Sequence, residues 1–149
     1  MALRRDGDRT TVLLGDDERA LLVDLAEQFR SVLADDADPD LRRLYPAAYA
    51  DDPERDADYA GLVHDDLLRT RLDAVETVLG SADAPSIADD ELAAWMQLLN
   101  GLRLLLGTRL DVSEEDGFDP EAPDAPSRAL LAWLGLLLEE AVESAAAGL

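Results

Sequence analysis

Between Leu92 and Leu106 the chain places leucine, tryptophan and methionine on nearly every face of a helix, and this constrains the fold more than any other feature. Leu92, Trp95, Met96, Leu99, Leu102 and Leu106 recur at helical spacing as a main stripe, while Leu98, Leu104 and Leu105 fall outside it. A helix that is apolar all round is either central to a bundle or shared with a second chain. Gly101, in its middle, lowers helix stability by about 0.5–1 kcal/mol relative to alanine and is expected to admit a close neighbour.

Other helical patterns flank this one. Asp16 is the expected N-cap of a first helix, with Asp17 and Glu18 at the positive end of its dipole and Leu21, Leu22, Leu25, Phe29, Val32 and Leu33 as its apolar stripe. Asp52-Pro53 reads as an N-cap with proline at the first helical position, and Gly80 as the C-terminal cap of the long helix that follows. After a loop over 81–85 the leucine-rich helix begins between Ser86 and Asp90, and Gly107-Thr108 are expected to end it. A last helix runs from about Pro126 to Ala145, with Leu136 off its densest stripe and Gly135 thinning one side for a neighbouring helix. Asp40–Tyr45 is expected to form one further turn, residues 1–9 a frayed start, and Thr10–Leu14 an edge strand or extended arm. Residues 111–124 hold seven acids and no base and read as an acidic loop. The expected architecture is all-α: a single domain over 1–149, a bundle of about four main helices with a short N-terminal strand or arm.

Charge and composition narrow the function. The chain carries 34 acidic against 13 basic residues, a net charge of -21, and every basic residue is arginine. Such a field repels phosphate backbones, and only Arg4-Arg5 and Arg42-Arg43 are adjacent, so direct nucleic-acid binding is not expected. Without cysteine there is no disulfide, thiolate metal site or thiol redox switch within the chain. The charged start lacks an apolar signal core, and the apolar run Ala129–Leu138 is far short of the roughly 18–20 residues a membrane span requires, so a cytoplasmic protein is expected.

Each candidate site has a competing structural role. His64 is the only histidine, so His64-Asp65-Asp66 lacks the supporting ligands of a metal hydrolase; its acids read as helix charge, with Asp65 one turn before Arg69. The acidic clusters at 51–52, 56–58 and 114–116 lack the spacing of a calcium loop. No phosphate loop, nucleophile elbow or Ser-His-Asp set is present, so no catalytic residue, metal or cofactor is assigned. Asn100 and Arg103 are polar within leucine-rich sequence, which suggests buried groups needing partners: for Arg103, Glu76 or Asp73 on an adjacent helix, or else a ligand or partner contact. Arg109 stands at the negative end of the same helix dipole. Tyr45 and Tyr49, around Pro46, form either a recognition surface or a loop packed on the bundle.

Two segments, LYPAAYADDPERDADYAGLVHDDL from Leu44 and AWMQLLNGLRLLLGTRLDV from Ala94, together with the Trp133-Leu134-Gly135 helix, resemble the actinobacterial oxidative-stress-regulator family, long catalogued only as a domain of unknown function. The resemblance covers nearly the whole chain. It implies a cytoplasmic protein acting in transcriptional control through partner proteins, encoded in many members beside a Clp-protease adaptor and sulfur-assimilation genes. The cysteine pair said to serve some members as a redox switch has no counterpart here.

The expected function is therefore a non-enzymatic regulatory interaction module with a protein partner, such as a sigma factor or another transcription component. An accessory factor of Clp-linked proteolysis and a carboxylate metal-binding protein are the alternatives. A homodimer is expected through the third or last helix, which carry more leucine than one bundle face hides.

Overall fold

The computed structural model describes residues 1–35, 53–110, 121 and 123–149, the side chains of 53–60 excepted. The chain opens with a hairpin of β1 (Leu3–Asp6) and β2 (Arg9–Val12) and continues through helix α1 (Asp16–Ala34). Helix α2 (Pro53–Ser81), strand β3 (Ser86–Ile87), helix α3 (Asp89–Leu110) and helix α4 (Ala125–Ala147) follow. The described residues are mostly helical, as expected, but the N-terminal arm is part of a three-stranded antiparallel sheet of order β1-β2-β3.

The start of the chain is thus ordered where fraying was expected. Asp6 pairs with Arg9 across a two-residue turn, and Gly7 supplies the positive φ of 64° that tight hairpin turns of this handedness require. Alternation does the rest. Leu3, Thr10 and Val12 point inward and are buried, while Arg4 and Arg9 point to solvent. Thr10 and Thr11 pair with Ile87 and Ser86 of β3, a strand too short to leave a periodic signal.

The sheet is fastened to the helices by specific bonds. The Thr10 and Ser144 hydroxyls are 2.6 Å apart in a buried contact between β2 and α4, and the Ala2 amide donates to the Glu140 carboxylate at 3.0 Å. Arg19, in the first turns of α1, donates to four carbonyls: Leu14 at 3.0 Å, Val12 at 2.9 Å, Ala82 at 2.7 Å and Ala84 at 2.8 Å. One guanidinium so ties the end of β2, the start of α1 and the α2–β3 connection together.

Helix α3 is the central element and packs against α1, α2, α4 and β2. Leu92, Trp95, Leu98, Leu99, Leu102 and Leu105 are all buried, so its several apolar faces are covered within the chain. Its Trp95 indole N–H donates to the Ser81 hydroxyl at 2.9 Å, which itself donates to the Thr77 carbonyl at 2.7 Å. Gly101 admits the neighbour its position predicts: a Cβ there would lie 2.7 Å from the Phe29 ring of α1.

Each of the four described helices differs from expectation at one boundary or both, α4 by only one or two residues. α1 is capped by Gly15, whose N–H donates to the Glu18 carboxylate at 3.3 Å, rather than by Asp16. α2 passes through Gly80 to Ser81, and α4 begins at Ala125 and ends at Ala147. α3 continues through Gly107 and Thr108 to Leu110, because both residues are buried against neighbours and the Thr108 hydroxyl bonds back to the Leu104 carbonyl at 2.7 Å. The expected turn over 40–45 and most of the acidic loop over 111–124 lie outside the described residues.

Candidate partner-binding groove

Helices α1 and α4 both lie on α3, and between them runs an apolar groove. Leu25, Phe29 and Val32 of α1 form one wall, Leu130 and Leu134 of α4 the other, and Leu102, Leu105 and Leu106 of α3 the floor. The cavity at its centre is about 130 Å³. Two polar residues, Gln28 and Arg109, complete the lining. The Gln28 side-chain amide is held by the Asp24 carboxylate one turn earlier, at 2.8 Å, which places an acid beside the α1 lip.

Why the helices stand apart here follows from their residues. Phe29 is fully buried with its ring over Gly101, so α1 approaches α3 closely at that point. Nearer the start of α1 the two walls are linked, since the Trp133 indole N–H donates to Glu18 at 3.3 Å. Along the half-buried flank made by Leu25 and Val32 no such bond is found among the described residues, and the helices leave the cavity between them.

The residues singled out from the sequence are distributed differently from expectation. Asn100 and Arg103 are exposed, not buried. Arg103 lies along α4, its Nε 3.7 Å from where a Gly135 Cβ would stand, so the thin side of α4 does receive a neighbouring helix. Its expected partner Glu76 instead accepts from Arg30 of α1 at 2.8 Å, because α1 rather than α3 presents a cation to that side of α2. Arg109 is exposed and lines the groove. Tyr45 and Tyr49 lie outside the described residues. Arg69 pairs with Asp66 at 2.6 Å rather than with Asp65, and His64 is half-buried.

Of the groove residues, Leu25, Phe29, Val32, Leu102, Leu106, Leu130 and Leu134 read in the sequence as apolar helix stripes, and the available signal is Gln28, which interrupts the α1 stripe between Leu25 and Val32. Away from the groove, Arg5 bonds Asp89 at 2.6 Å and also reaches the Ser144 carbonyl. That hydrogen bond holds the Asp89 carboxyl below the ordinary aspartate range and raises the arginine. The Thr11 hydroxyl, with help from Arg4, lowers Asp6 in the same way. Among the described residues no group of three or more His, Asp or Glu side chains is placed to hold a metal ion, and no helix is long and apolar enough to cross a membrane.

The class is that of a four-helix bundle, among the described residues, closed at one side by a small antiparallel sheet and carrying one apolar groove lined by three helices. The chain belongs to the family described as Domain of unknown function (DUF2017), which matches residues 1–145. No curated protein matches the chain, and no solved structure does.

Proposed function

We propose that this chain is a non-enzymatic, cytoplasmic regulatory module that acts in transcriptional control of stress or sulfur metabolism by docking a protein partner, such as a sigma factor or another transcription component, in the groove between α1, α3 and α4. The observation that carries the reading is the groove itself: an apolar recess on a molecule of net charge -21. Apolar recesses with a polar rim are the usual seats of anchoring side chains at protein interfaces. The charge adds the second half, since it repels duplex DNA while speeding encounter with a positive protein surface. The resemblance to the oxidative-stress regulators supplies the regulatory setting.

The test pairs two measurements on the purified full chain. Gel-shift titration against its own promoter DNA at physiological salt is expected to show no sequence-selective complex, and the tagged protein is expected to co-purify with a component of the transcription machinery. Tight, selective promoter binding would replace this reading with direct DNA recognition.

A further inference from the structure

The groove is small for a helix and large for a solvent molecule. A dry apolar cavity of about 150 Å³ accepts a benzene-sized group, so the 130 Å³ here fits one aromatic or branched aliphatic side chain. Of its lining, Gln28 and Arg109 are exposed, so they stand at the opening. The occupant's shape is therefore a single anchor residue projecting from a segment that lies across the groove.

Its charge follows from what surrounds the opening. Asp24 is bonded to Gln28 at the α1 lip, and Glu18 stands at the Trp133 end. Asp124 and Arg128 near the start of α4 pair with each other at 2.8 Å, and among the described residues Arg109 is the one cation in the groove's lining. A second copy of the chain would bring another net charge of -21 to an acidic lip, and a nucleic acid or anionic membrane would bring its phosphates there. A basic protein segment meets the opposite sign.

Resting on the docking reading above, we propose that the groove seats one bulky apolar side chain from a partner helix rich in arginine and lysine, with those cations facing Asp24 on α1. Affinity then comes from the buried anchor, while the cations set orientation and encounter rate.

Fluorescence anisotropy with two synthetic amphipathic peptides of about 18 residues, or about five helical turns, tests this. They share one apolar face with a central phenylalanine; one carries lysine and arginine on its polar face, the other glutamate. The expected result is that the full-length chain binds the basic peptide, that binding weakens as salt rises, and that the acidic peptide does not bind. Gln28→Trp, which covers the opening from an exposed position, is expected to weaken binding about tenfold or more, and Asp24→Arg to weaken it less, both with the urea unfolding midpoint unchanged. Equal binding of both peptides would overturn the charge assignment while leaving the groove as a docking site. Binding of the basic peptide that is indifferent to Gln28→Trp would place it elsewhere and overturn the proposal. A concentration-dependent dimer abolished by Gln28→Trp would do so in favour of a second copy. If neither peptide binds, the proposal fails, and the co-purification test of the docking reading stands separately.

Discussion

Arg19 shows how one side chain can hold a junction that no apolar residue would hold. Its four acceptors are all main-chain carbonyls, three of them in connections and the fourth at a strand end, where helix and sheet bonding do not reach. Arg19→Leu strands those carbonyls in a half-buried place and is expected to cost about 2–4 kcal/mol in urea denaturation, with Arg19→Lys recovering only part because an ammonium cannot fork across them. Two of the helical glycines, Gly101 and Gly135, should separate cleanly by the same measurement. At Gly101 a methyl meets the buried Phe29 ring at 2.7 Å, so Gly101→Ala is expected to destabilise by about 1–2 kcal/mol despite its better helix propensity. At Gly135 the nearest atom is 3.7 Å away, an ordinary contact, and Gly135→Ala is expected to be neutral or to stabilise by up to about 1 kcal/mol. The Arg5–Asp89 pair has a pH signature. Because the folded Asp89 carboxyl sits below its unfolded value, the pair's contribution is present above about pH 3.9 and is lost as pH falls through the lower folded value. Acid titration of Asp89→Asn should therefore show a shallower loss of stability below about pH 4 than the parent chain.

At the scale of elements, the long helices were legible because their apolar periods span several turns and their starts carry acids in α1 and α3 and a proline in α2 and α4. Their ends were less so, because Gly80 and Gly107 resemble terminators while tertiary burial carries each helix onward by another residue or more. The sheet was half-visible: Thr10-Thr11-Val12 has strand character, but β1 is encoded mainly by the Gly7 turn and β3 by two residues. Asn100 and Arg103 are exposed against expectation for a physical reason. Ala93, Gln97, Asn100 and Arg103 fall three or four apart and are all exposed, a narrow solvent stripe on an otherwise covered helix that only this spacing reveals. The joint between sheet and α4 gives the prediction at this scale. Thr10→Val removes the buried partner of the Ser144 hydroxyl and is expected to cost about 1–3 kcal/mol, read as a lower thermal midpoint.

For the whole molecule, α3 distributes its apolar faces to α1, α2, α4 and the sheet, which answers from within the chain the question of what covers a helix apolar all round. The apolar residues left outside include Leu136 and Val142 on α4, about 60% and 51% exposed. The groove was not legible in advance. Each wall reads as ordinary core, and the opening exists because three helices meet with Phe29 drawn onto Gly101 and the flank beside it uncovered among the described residues. The acidic surface has a consequence of its own, since self-repulsion at -21 opposes compactness; raising sodium chloride from low concentration is expected to raise the unfolding midpoint. The docking claim is tested most directly by amide chemical-shift mapping of the full chain titrated with the basic amphipathic peptide. Shifts gathered on Leu25, Gln28, Val32, Leu106 and Leu130 are the predicted result, and shifts centred on the exposed Leu62–Asp66 side of α2 or on the sheet, or none at all, would contradict it.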